Sequence, residues 1–333
     1  MKTAIACALA GVALTIALAL VDPTRAPLAW HAAATFGLTV SLGGFLLGAV
    51  LANAGATWAA TIQRVHCAIG GALPVACLAY APLVRRAAHP VLDALFLVVL
   101  VAVEETLRAA SLRDKKRAGV GAIGLVVVAF VGTTFFFDVT LAPSRPWVSD
   151  MFGLYVLVGS FGGAVGATAI AAARAREKLR VTRAHASALG RIELVATCLW
   201  GYCAFALYML IWVADLPREV GFFVARTSGA WGVLLVVLVF ARFVAPFLLL
   251  VPRAPKQRWG HVGAVGVVMV AAHALDSEML VVPSSSRHAS LLDVGPFLLV
   301  GGVLSLVALA RFRRHAPLPS PRDVDRALAY ESP

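Results

Sequence analysis

Apolar residues in this chain come in long unbroken blocks, separated by short clusters of arginine, lysine, proline and glycine. Ten blocks can be marked, at roughly 4–21, 30–52, 62–84, 90–110, 118–137, 148–173, 190–214, 229–251, 260–282 and 294–310. Several reach the ~20 residues that an α-helix needs to cross a bilayer. A transmembrane β-barrel would alternate apolar and polar positions instead. The pattern therefore predicts an all-α polytopic membrane protein with about ten transmembrane helices, helices 1 to 10. It forms a single transmembrane domain over 1–314, and 315–333, rich in proline (Pro317, Pro319, Pro321, Pro333), is expected to be a disordered tail.

Composition agrees with that pattern. Of 333 residues, 60% are apolar and 14% charged, with a mean hydropathy of +0.86. A soluble domain has roughly 45–50% apolar and about 25% charged residues. A soluble enzyme, a disordered chain and a nucleic-acid-binding domain are excluded on this ground. The net charge of +12 is read as lysine and arginine gathered in cytoplasmic loops. Eighteen basic residues fall in the loops after helices 4, 6 and 8 and in the tail: Arg113, Lys115, Lys116, Arg117, Arg174, Arg176, Lys178, Arg180, Arg183, Arg191, Arg253, Lys256, Arg258, Arg311, Arg313, Arg314, Arg322 and Arg326. Seven fall on the opposite side: Arg25, Arg85, Arg86, Arg145, Arg218, Arg226 and Arg287. Both termini are therefore expected in the cytoplasm, with helix 1 retained rather than cleaved as a signal peptide. Cys7, Cys67, Cys77, Cys198 and Cys203 form no C-x-x-C pair and read as small apolar residues, so no protein-borne metal or haem site is expected.

Helix 2 contains Phe36-Gly37-Leu38-Thr39-Val40-Ser41-Leu42-Gly43-Gly44-Phe45, and helix 6 contains Phe152-Gly153-Leu154-Tyr155-Val156-Leu157-Val158-Gly159-Ser160-Phe161. Six of the ten positions agree at a constant offset of 116. Both helices run from outside to inside, as parallel repeats do in transporters built from two like halves. The expected architecture is two four-helix bundles, helices 2–5 (29–117 with 118–137) and helices 6–9 (138–283), flanked by helix 1 and the last helix, 294–310.

Gly119, Gly121 and Gly124 match the dinucleotide spacing G-x-G-x-x-G, but they open a membrane helix after a basic loop rather than following a strand. Close helix packing is the reading, as it is for Gly159, Gly162, Gly163 and Gly166. Ionisable residues inside spans carry more information, because each costs at least ~2.5 kcal/mol at the bilayer centre. Helix 9 places His273 and Asp276 three apart on one face, with Glu278 further out. Helix 4 carries Glu104, Glu105 and Arg108, with Glu104 able to pair with Arg108 one turn on. Arg242 lies deep in helix 8, Glu193 enters helix 7 from the cytoplasm, and Asp138, Asp150 and Asp215 sit at outer helix ends as solvated or capping residues. A His beside a carboxylate carries protons near neutral pH or hydrogen-bonds a quinone oxygen. The proton-relay candidates are therefore His273, Asp276, Glu104, Glu105, Arg242, Asp138 and Asp150.

The second half of the chain resembles a known family. The residues are Phe137-Asp138; Pro146-Trp147-Val148-Ser149; Phe152-Gly153-Leu154-Tyr155-Val156 and Gly159-Ser160-Phe161; Leu189-Gly190-Arg191; Leu210-Ile211-Trp212-Val213-Ala214-Asp215-Leu216-Pro217-Arg218-Glu219; Phe243-Val244-Ala245-Pro246-Phe247; and His273-Ala274-Leu275-Asp276, closing at Pro283. In this order they resemble the F subunit (ActF) of alternative complex III, a bacterial quinol:electron-acceptor oxidoreductase. Trp58 and Arg64 are similar too. The resemblance covers most of 30–305 and rests on joint order rather than any single motif.

The resemblance implies ten spans in two four-helix bundles and kinship with the larger C subunit and with polysulfide-reductase-type (NrfD-like) quinol subunits. It implies an inner-membrane protein packed against a C-like quinol-binding subunit, with multihaem cytochrome c and iron–sulfur subunits holding the haem c and the clusters. Lipids are the remaining partners. The chain itself would hold no such centre; menaquinone or ubiquinone is the one cofactor class to test, with His273, Asp276 and Trp147 as contacts. Asp138, Trp147, Ser149, Arg191, Trp212, His273 and Asp276 are the positions carried over. The chain departs from the family pattern at Leu141–Arg145, at Ser149-Asp150, at Arg242 where a His is usual, after Arg64, and in a shortened stretch between helices 3 and 5. The expected role is a haem-free subunit that scaffolds the C-like subunit and conducts protons. A quinone-binding redox subunit, a stand-alone secondary transporter and a degenerate scaffold stay open beside it.

Overall fold

A computed structural model describes residues 1–85, 87–112, 117–286, 288–314 and 321–330. Arg86, Arg113, Lys115, Lys116 and Arg287 of the charge count, the side chain of Arg117, and the tail residues 315–320 and 331–333 lie outside the described residues. The long helices are α1 (Lys2–Val21), α2 (Ala26–Asn53), α3 (Gln63–Val84), α4 (Pro90–Leu112), α5 (Ala118–Thr140), α6 (Phe152–Arg174), α7 (Arg183–Ala214), α8 (Gly229–Leu250), α9 (Trp259–Val281) and α10 (Leu291–Arg314). No strand occurs among the described residues. Nine of these helices are long and apolar enough to cross a membrane, which makes the chain an all-α polytopic membrane protein. The tenth, α4, is a 23-residue helix with the charges Asp93, Glu104, Glu105 and Arg108 along it.

Interruptions in the helices follow from the sequence. Proline has no N–H to donate and its ring crowds the carbonyl four residues back. Pro246 therefore leaves the Arg242 carbonyl without its usual partner, and α8 widens into a π-turn at Phe240–Val244. Pro143 does the same to α5, which ends in a π-turn at Phe136–Thr140 with Leu141 N–H bonded to the Phe136 carbonyl at 3.2 Å. In α3 the helix breaks at Gly70-Gly71, just before Pro74.

Helix α2 is the axis of the fold, with 89% of its spanning window buried. It packs on α3, α4, α5, α6, α9 and α10. Helices α2–α5 pack as one bundle and α6–α9 as another, and the two meet where α2 crosses α6. Small residues make that crossing: a Cβ on Gly43 would stand 1.9 Å from the Ser160 carbonyl oxygen. Gly166 and Gly266 bring α6 and α9 equally close, a Cβ on Gly266 falling 2.6 Å from the Gly166 carbonyl oxygen.

The terminal spans pair with each other. Helix α1 runs antiparallel to α10, with Gly11 against the Leu299 backbone, Gly302 against Ala8 and Gly295 against Leu14. Only 17% of the α1 spanning window is buried. The loop after α1 is tied down by Arg25, whose Nε donates to both Asp293 carboxylate oxygens at 2.8 and 2.9 Å. That bond pushes the Arg25 guanidinium still higher than its ordinary value.

One expectation is corrected at the C-terminus. Residues Pro321–Leu328 form an amphipathic helix, α11, rather than a free extension. It docks on the turn Thr57–Thr61. Tyr330 then packs its ring on Trp58 and His185 and takes a 2.9 Å hydrogen bond from Arg191. Aromatic burial outweighs the ordering cost of this segment.

The crossing makes a direct prediction. Gly43→Ala should lower stability in detergent by about 1–3 kcal/mol or more, because the methyl meets backbone. Gly260→Ala, which meets nothing within 4 Å, should stay within about 0.5 kcal/mol of the parent. Equal thermal midpoints for the two variants would contradict the close crossing.

Candidate functional site

The densest polar cluster in the interior lies on α9, where α2, α6, α7 and α8 converge. His273, Asp276 and Arg242 are 4%, 2% and 5% exposed. Asp276 accepts from the Tyr155 hydroxyl at Oδ1 and from the Trp200 indole N–H at Oδ2, 3.2 Å away. Arg242 Nε stands 3.6 Å from the same Oδ2, and its Nη2 donates to the Gly159 carbonyl at 3.1 Å. The guanidinium carbon lies 5.2 Å from the Trp200 ring centre. The π-turn at Phe240–Val244 is what re-aims Arg242 into the bundle.

His273 is held from the opposite side. Its Nε2 is 2.8 Å from Thr39 Oγ1 on α2, and Thr39 Oγ1 in turn donates to the Thr35 carbonyl at 2.7 Å. The hydroxyl proton being used there, Nε2–H is the donor to Thr39, a tautomer assigned from the network. His273 Nδ1 is then the bare ring nitrogen, with no hydrogen-bond partner among the described residues. A Cβ on Gly163 would fall 2.6 Å from the imidazole Cδ2, and one on Gly159 would meet Arg242, His273 and Asp276 at 3.4–3.9 Å. So Gly159 and Gly163 make room for the cluster, Gly166 serves helix packing, and Gly162 faces only Ala196 and Met269 at ordinary distance.

The other sequence candidates stand elsewhere. Glu105, not Glu104, pairs with Arg108, through Nε at 2.7 Å, and with Arg311 at 3.1 Å. Glu104 is buried beside His66 at a cavity of about 10 Å³, in the bundle that does not hold His273. Asp138 is not a free outer acid: it pairs with Arg145 and accepts from His89 N–H at 2.9 Å. Asp150 and Trp212 are exposed, and Ser149 caps the start of α6 through its carbonyl. Trp147 stacks on Phe222 at 3.8 Å, and Arg226 covers Phe222 at 3.3 Å while donating to the Met279 and Leu280 carbonyls at the end of α9. The indole belongs to this outer plug, against Phe222 and Phe152.

Tyr155, Trp200 and Thr39 complete the site and were absent from the sequence candidates. The repeat held the signal for two of them. Thr39 and Tyr155 are equivalent at the offset of 116, and each sets a hydroxyl on one of the two α9 residues. A cavity of about 10 Å³ lies beside Arg242, lined also by Thr197, Trp200 and Met269.

Arg242→Ala should destabilise the protein by about 3–5 kcal/mol, because it strands the Asp276 carboxylate in the interior. Adding Asp276→Asn should recover part of that loss in a double-mutant cycle. Strict additivity would show that the pair does not interact. No protein-family model matches the chain, and no curated protein matches it.

Proposed function

We propose that the chain is a haem-free integral membrane subunit of an alternative-complex-III-type quinol oxidoreductase in the bacterial inner membrane, both termini in the cytoplasm. Its first role is to scaffold a C-like quinol-binding subunit. Its second is to conduct protons through the α6–α9 bundle. Cytochrome c and iron–sulfur partners carry the electrons.

One observation carries the proton role: a His with a bare ring nitrogen beside a buried Asp–Arg pair, mid-span, in a bundle with a cavity of water size beside Arg242. A charge placed there costs stability and is kept where it has a task. His273 holds or releases a proton at Nδ1, Asp276 does so at Oδ2, and Arg242 keeps a compensating charge beside both. The joint order of residues over 137–283 supports the family. The paired helices α2 and α6 favour a stand-alone transporter as the second reading.

Isolation from native membranes in mild detergent separates the two. Co-purification with coloured multihaem and iron–sulfur subunits is expected; a colourless, partner-free protein would overturn the respiratory reading and favour transport. In the assembled complex, His273→Ala with Asp276→Asn should impair proton-coupled turnover while the subunits stay together. Normal turnover and proton release would sink the relay.

A further inference from the structure

Glu193 lies on α7, in the half nearer the arginine-rich loops, with 0% exposure. Neither carboxyl oxygen finds a hydrogen-bond donor among the described residues. Oε1 faces the α9 backbone, 3.3 Å from where a Cβ on Gly266 would sit. The flanking cation is Lys256, whose stem lies on Gly190 one turn away; it does not hydrogen-bond to Glu193. One turn on, and on the same face, Thr197 Oγ1 is also without a partner. Thr197, Trp200 and Arg242 line that cavity of about 10 Å³, room for one water. An ionised carboxylate so placed would be a bare charge in a low-dielectric interior.

We propose that Glu193 is a proton-holding site in the interior, on the cytoplasmic side of the Arg242–Asp276 pair, with a water held at Thr197 as its partner. The carboxyl O–H of Glu193 donates to that water. This rests on the proton-conducting reading above, but its first test does not need the complex.

Infrared spectra of the full chain in lipid nanodiscs at neutral pH should contain a protonated-carboxyl band that shifts in D2O. The band should be missing in Glu193→Gln and displaced in Thr197→Val, which keeps the shape of the site and removes its hydroxyl. A Glu193→Gln difference spectrum without that band, or a band that neither D2O nor Thr197→Val moves, would overturn the proposal. In the assembled complex, Glu193→Gln should slow proton-coupled turnover; unchanged turnover would refute a part for Glu193 in proton conduction. A chain that purifies alone would end the respiratory reading and leave the infrared result standing.

Discussion

A buried carboxyl group in the middle of a membrane bundle governs the arrangement around it. Asp276 cannot be solvated by water, so its neighbours must supply donors and a counter-charge. Tyr155, Trp200 and Arg242 do so from three different helices. The guanidinium gets there because Pro246 leaves a carbonyl free and the helix widens one turn earlier. The helix opposite must be stripped of side chains, and Gly159 and Gly163 are where it is stripped. Changing one member therefore shifts the requirements of the rest.

The two bundles share a frame and differ in what they hold. Repeat-equivalent α2 and α6 cross within one residue of equivalent positions, Gly43 against Ser160. The ion pair, the bare histidine nitrogen and buried Glu193 lie in or against the second bundle. The first holds Glu104 beside His66, and the Asp138–Arg145 pair at its far end. The sequence listed Glu104 and Asp276 as members of one relay; the fold puts them in separate bundles. Each bundle thus has its own buried acids, and α2 reaches toward both through Thr39 and Gly48.

Fold class was legible because apolar continuity over a membrane thickness leaves few alternatives. The position of α4 as a packed helix was legible too, despite charges that take it below the apolarity of the other spans. The α9 core of the site could be read from the three-residue spacing of His273 and Asp276. Its shell could not. Trp200 and Tyr155 look like ordinary apolar-span residues until helix rotation and crossing angles put them on one carboxylate. Glu105 rather than Glu104 meets Arg108 because rotation of α4 buries the one and leaves the other half-exposed. The docked tail was missed because proline-rich composition says nothing about a receptive surface at Trp58.

The pairing of α1 with α10 has a consequence for how the protein is made. Of these ten helices, the first to leave the ribosome finds its main partner in the tenth. Until α10 emerges, α1 must sit in lipid without the glycine-lined surface that later receives it. Its sequence suits that wait: beyond Lys2 it carries no charged residue through Val21. Closing the structure by its two ends then makes late assembly a checkpoint, since a chain cut short before α10 leaves Gly11, and α2 at Gly37, facing acyl chains where the finished protein has a helix.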